Sequence, residues 1–279
     1  MKSKMADINK TNAKRKRTLR SKMAVAAVNA VIPAAKVLCA PPSLNGIKRA
    51  LFVQPHPDDN QIGAGGTMAW LVSRGVEVWE LTVTDDRFAV PEYAGKENEV
   101  VTVRQQEAMA AQQLLGVKNA GFLGFADKTR ASVDEISQAV LKVIREIKPD
   151  FVFTVDPNLA TECHSDHIKV GQAVKFACMD SGCNFYPSFD NGELRKDAWS
   201  VKGVGFYYTD RANTTVDISD FDELKFQAMK CHKSQMDPAL LAVVKLQQQL
   251  FAQGTPFTCA EKLFLMRDLH MHCFNLPVE

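Results

Sequence analysis

From about residue 49 onward, short apolar runs alternate with stretches of helical periodicity. Arg49–Gln54 contains the buried-strand run Ala50-Leu51-Phe52-Val53 and ends at Pro55. The spacing then predicts a helix over Gly63–Arg74, with Met68, Leu71 and Val72 as its core stripe and Gly75 just beyond its end. Val76–Val83 reads as a second strand, Val100–Leu115 as a helix stopped by Gly116, and Gly121–Leu123 as a short strand. Val133–Ile147 is amphipathic, Phe151–Val155 is a third apolar strand, and Ile168–Met179 returns to helical period. Beyond Ser181 the pattern loosens, leaving a strand at Val204–Tyr208 and helices at Asp222–Cys231 and Pro238–Phe251.

Near-continuous apolar strands separated by amphipathic helices predict an α/β fold, with a mostly parallel sheet covered by helices on both faces. In that architecture ligands bind beyond the carboxyl ends of the strands.

Composition and charge modify this picture mainly at the N-terminus. The 279 residues are 46% hydrophobic and 24% charged, ordinary for a globular protein. The net charge of +2 hides an asymmetry. Residues 1–22 hold nine Lys or Arg against Asp7 alone, which leaves 25 basic and 31 acidic residues, a net of −6, in the remainder. An acidic body does not suit backbone phosphate, so no nucleic-acid partner is expected. The block of like charge at Lys14–Arg20 reads as a solvated tail. The apolar stretch Met23–Ala35 after it resembles a secretory leader, yet Asn29 and Pro33 interrupt it. It also falls short of the roughly 20 apolar residues of a membrane span, so no stable membrane insertion is expected. Residues 1–45 are therefore set apart as basic tail and apolar leader helix, and residues 46–279 as one domain. Seven widely spaced cysteines with no C-x-x-C pair read as reduced thiols in a cytoplasmic protein. Homo-oligomers are common for this architecture.

The candidate chemistry lies in two segments that each follow a strand. Pro55-His56-Pro57-Asp58-Asp59 follows the first strand, and Glu162-Cys163-His164-Ser165-Asp166-His167 comes shortly after Phe151–Val155. Together they hold half of the six histidines. Either alone is compatible with a plain turn or helix cap. Together on one sheet edge they match a catalytic metal site, which takes three His, Asp or Glu ligands and leaves a position for water. His56, Asp59 and His167 are the expected ligands of one zinc ion, which lowers the pKa of bound water toward ~7. Asp58 is then placed as general base, and His164 as the group that steadies the oxyanion and protonates the leaving amine.

These residues also resemble a known family. His56-Pro57-Asp58-Asp59 followed by Ile62-Gly63-Ala64-Gly65-Gly66-Thr67 resembles the signature of the PIG-L/LmbE-like N-acetylglucosaminyl deacetylases. So do His164-Ser165-Asp166-His167 with Gly171, Arg104-Gln105-Gln106-Glu107, the run Lys225–Gln235 and Ala260-Glu261-Lys262. The resemblance implies a Rossmann-like zinc enzyme that hydrolyses the acetamide of a GlcNAc-type small-molecule substrate. It implies the same roles for His56, Asp59, His167, Asp58 and His164, and places Arg104 near the substrate. Asp86 and Arg87, in the loop after the second strand, are expected to border the substrate, and His232 to support the site. Asn60 stands where the family usually has Glu, which predicts altered hydrogen bonding around an intact metal site. Two rivals remain: a metal-containing sugar-binding pseudoenzyme, and a metallo-phosphoesterase, whose usual two metals need more ligands than are found here. Gly63, Gly65 and Gly66 lack dinucleotide-fingerprint spacing.

Overall fold

The computed structural model describes residues 14–18, 20–31, 40–90, 93–184 and 197–272. Two compact units are distinguished, Pro41–Phe274 and a smaller unit containing Met1–Ala40. In the smaller unit, residues 14–18 and 20–31 are helical and exposed, which takes in the charged residues of the basic run and the start of the apolar stretch. The rest of that stretch, residues 32–35, lies outside the described residues. Among the described residues no helix is long and apolar enough to cross a membrane.

In the body, strands β1 (Arg49–Gln54), β2 (Glu77–Thr84), β3 (Lys118–Phe125), β4 (Phe151–Val155) and β5 (Gly203–Tyr207) pair in parallel. Two further strands, β6 (Thr214–Asp217) and β7 (Ala260–Arg267), join antiparallel and give the order β3-β2-β1-β4-β5-β7-β6. The mostly parallel sheet agrees with the periodicity, but β6 and β7 were not anticipated. β6 is four residues long and largely polar, whereas β7 does carry an apolar run, Leu263–Met266, behind the charged Glu261 and Lys262.

Helices α1 (Asp59–Ser73), α2 (Glu97–Leu115) and α5 (Asp222–Met229) contribute Met68, Leu71, Ala111, Leu115 and Ala228 to one core, against Phe52, Phe153 and Leu265 of the sheet. Helices α3 (Val133–Ile147) and α4 (Ser165–Asp180) cover the opposite face with Ile136, Val140, Val170 and Val174, against Leu51, Val53, Leu81 and Phe206. The last helix, α6 (Pro238–Ala252), starts at Asp237, whose side chain accepts the Leu240 N–H at 2.7 Å. Sheet order reverses between β1 and β4, and this switch point is where a parallel sheet opens a crevice.

Helix α1 starts four residues earlier than its apolar stripe suggested, so Asp59 opens the helix. It kinks at Ala64, whose φ is −145°. The glycines beside the kink serve packing: a Cβ on Gly63 would lie 2.2 Å from Tyr207, and one on Gly66 would lie 2.7 Å from Ile218. The amides freed by the kink are capped by the buried Glu261 carboxylate. It accepts Gly66 N–H at 2.9 Å and Thr67 N–H at 2.7 Å, and pairs with the buried Lys225 ammonium at 2.7 Å.

Candidate metal centre

The β1–α1 turn places His56 and Asp59 together. The His56 amide donates to Asp59 Oδ2 at 2.9 Å, closing a tight loop braced by Pro55 and Pro57. The Asp59 carboxylate then lies between two imidazoles. One oxygen is 3.4 Å from His56 Nδ1, and the other is 3.4 Å from His167 Nε2. His167 comes from the first turn of α4, just past the end of β4. Two sequence-distant loops therefore meet at the switch point.

The far side of each imidazole faces a carboxylate. His56 Nε2 is 3.5 Å from both Asp127 and Asp166, and His167 Nδ1 is 2.9 Å from Glu162. This is the outer-sphere pattern of metal-bound histidine, in which a carboxylate fixes the tautomer and turns the other nitrogen to the ion. The inner donors, two imidazole nitrogens and one carboxylate, suit a borderline divalent cation. By chemistry and by orientation the residues present fit a metal. The ligand atoms of His56, His164 and His167 also lie within 4.8 Å of one another. His164 is thus near enough to hold an ion, a placement its expected role as an acid does not require. Its Nδ1 accepts the Asp166 N–H at 3.3 Å and caps α4.

Electrostatics follow the same geometry. Burial on its own would lower the His56 pKa, but bonds to Asp127, Asp166 and Asp59 push it up to about 12. Burial would raise Asp59, yet His167 and His56 hold it well below the usual carboxylate range. For His164, burial and repulsion from the other two imidazoles lower the pKa.

Asp58 sits at the N-cap of α1, nearly buried, and accepts from Arg104 Nη2 at 2.9 Å. Burial raises its pKa while Arg104 opposes the rise. The remaining expected residues are Arg104, Asp86, Arg87 and His232. Arg104 is fully buried, and its guanidinium also binds Asp86 at 2.6 Å and Glu107 at 2.9 Å. As placed, it is a clamp behind Asp58 with its donors committed. Asp86 is turned inward onto that clamp, because its backbone adopts φ 54°. Arg87 is partly exposed and forks onto Asp85, whose other role is to accept the Asp127 N–H at 3.0 Å. His232 is fully buried; neither ring nitrogen has a hydrogen-bond partner among the described residues, and burial lowers its pKa to about 3. Asn60 donates to the buried Glu80 at 3.2 Å and accepts from Tyr207 Oη at 2.8 Å, so its amide bridges an acid and a phenol. A Glu at this position would set two buried carboxylates face to face.

Three carboxylates escaped the sequence reading. Glu162 and Asp166 lay within the second motif without a role, and Asp127 lay in a loop with no motif at all. The five-residue step from Glu162 to His167 was a usable signal; the approach of Asp127 depends on tertiary folding.

A cleft of about 500 Å³ opens on Asp59 and His167, lined further by Tyr208, Leu159, Leu240 and Phe251. A mostly parallel α/β sheet whose switch point carries converging imidazoles and carboxylates beside a cleft defines a candidate metal-binding α/β enzyme.

Comparison with known proteins places it more narrowly. The model of the PIG-L family, described as GlcNAc-PI de-N-acetylase, matches residues 51–178. A diacetylchitobiose deacetylase of Thermococcus kodakarensis is 36% identical over 197 residues, covering 68% of this chain and 71% of that protein. A 1D-myo-inositol 2-acetamido-2-deoxy-alpha-D-glucopyranoside deacetylase of Thermobispora bispora is 28% identical over 244 residues, covering 68% and 80%. Among solved structures, the N,N'-diacetylchitobiose deacetylase of Pyrococcus horikoshii superposes with a TM-score of 0.74 at 29% identity, covering 81% of this chain and 86% of that one. This chain belongs to the PIG-L family of deacetylases.

Proposed function

We propose that this chain is a zinc-dependent N-deacetylase that hydrolyses the acetamide of a GlcNAc-type sugar or sugar conjugate. The observation that carries the reading is the convergence of His56 Nδ1, the Asp59 carboxylate and His167 Nε2 at the mouth of a cleft, each imidazole backed by a carboxylate. Relatives that act on acetamido sugars support the substrate class.

In this reading His56, Asp59 and His167 hold one zinc ion, which when bound supplies Lewis-acid activation of water and of the amide carbonyl. Asp58, on the same turn, accepts the proton of the attacking water. Burial raises its pKa and makes it a stronger base than a free carboxylate, while Arg104 opposes that rise and aims it. His164, its Nδ1 engaged by the Asp166 amide, steadies the carbonyl oxygen and donates a proton to the nitrogen as the C–N bond breaks. Acetate and a free amine leave. The proximity of all three imidazoles favours a second assignment, with His164 as a metal ligand.

Metal-replete protein incubated with N,N'-diacetylchitobiose is expected to release acetate. Asp58→Asn should lower turnover by about 10²–10⁴-fold while metal content stays near one per chain. Near-normal turnover in that variant removes Asp58 as the base. A metal-loaded protein that binds acetamido sugars without releasing acetate is a binding module. Loss of metal in His164→Ala favours the second ligand assignment.

A further inference from the structure

Four non-glycine residues among those described hold φ in the left-handed region. Lys148 does so as the cap of α3, where that geometry is routine. The other three, Asp86, Lys128 and Tyr208, follow β2, β3 and β5 and surround the candidate metal centre. Asp tolerates this region through local hydrogen bonds, and the Lys128 turn delivers its amide to Asp166 at 2.7 Å. Tyr208, at φ 52°, has no such local reason. A bulky aromatic persists there only where the surroundings over-determine it, and such positions cluster at functional sites.

The effect of the strain is visible in the rings. Tyr207 enters the core, and Tyr208 meets it edge-on at 4.9 Å. The Tyr208 ring stacks parallel to His167, at 6.2 Å and 5°, and its hydroxyl donates to the Asp59 carbonyl oxygen at 3.3 Å. It also lines the cleft. One side chain thus touches two of the three donors, His167 through its ring and Asp59 through its backbone.

We infer that Tyr208 is a positioning residue: its strained backbone holds the phenol between Asp59 and His167, setting the spacing of these two donors at the wall of the sugar cleft. The inference rests on the proposed zinc site.

The test compares Tyr208→Phe, Tyr208→Ala and Tyr208→Gly in the full chain. Zinc affinity is read by competition with a chromophoric chelator, and stability by denaturant unfolding of metal-free protein. Ala and Gly lose both contacts and are expected to weaken zinc binding by about 10–100-fold, whereas Phe keeps the stack on His167 but loses the hydrogen bond to Asp59 and should fall between them and wild type. Gly should be the more stable of the two small variants, by about fivefold in unfolding constant, because only Ala retains the left-handed strain. At an ordinary backbone position that order reverses. Zinc binding in Tyr208→Gly as tight as in wild type overturns the positioning role. A more stable Tyr208→Ala overturns the strain argument. Both readouts are independent of turnover, so a wild-type protein that binds zinc but releases no acetate refutes the deacetylase reading without touching this one.

Discussion

Arg104→Met separates a buried clamp from a residue that merely contacts substrate. Methionine preserves most of the aliphatic length and removes the only cation shared by Asp58, Asp86 and Glu107 among the described residues. Removing one partner of a buried ion pair costs about 3–5 kcal/mol, because the other charge remains desolvated. For a body of this size each kcal/mol shifts the melting temperature by about 2–4 °C, so a fall of about 6–20 °C is expected. Function should change in a particular direction as well. Burial already pushes Asp58 and Asp86 upward, and Arg104 is the largest influence holding them down. Without it both carboxyls hold their protons to higher pH, so the acidic limb of the rate profile moves upward. Turnover at pH 7 should drop by about 10²-fold or more, with partial recovery as the pH is raised. Arg104→Lys restores charge without the planar fork and should fall between the two. Thermal melts and a pH–rate series on the metal-replete protein measure both effects. A variant that melts within a few degrees of wild type, or that loses activity with an unmoved acidic limb, refutes the clamp.

Two further outcomes are expected. Glu162→Gln keeps the shape beside His167 but removes the charge facing Nδ1, so zinc affinity should fall about 10–100-fold in chelator competition; unchanged affinity means Glu162 does not orient the ligand. Asp86 titrates at about 6, chiefly because burial disfavours its charge, so the folded state holds its proton to higher pH than the unfolded chain does. Its contribution to stability is complete below about pH 4 and is lost as the pH rises through 6. Asp86→Asn should therefore gain up to about 3 kcal/mol on wild type between pH 4 and 7 in melts of metal-free protein, and a constant difference across that window counts against the assignment.

Much of this protein can be read along the chain because its information is local. Alternating apolar strands and amphipathic helices follow from periods of 2 and 3.6, so β1, α3 and β4 fall where their residues predict. The tight turn at His56–Asp59 and the His164–His167 step are likewise short-range features, and their position after strands brings them to one sheet edge. Tertiary folding decided the rest, because the deciding partners are remote in sequence. Asp127 meets His56 only when the loop after β3 closes over the edge, and Glu261 reaches the kinked α1 from the far end of the chain. The same holds for Arg104. Its motif suggests a residue near the substrate, while its burial against Asp58, Asp86 and Glu107 comes from tertiary packing. Which nitrogen of His56 faces inward, and the left-handed turn that sets Tyr208 against His167, are likewise settled by neighbours that no periodic pattern encodes.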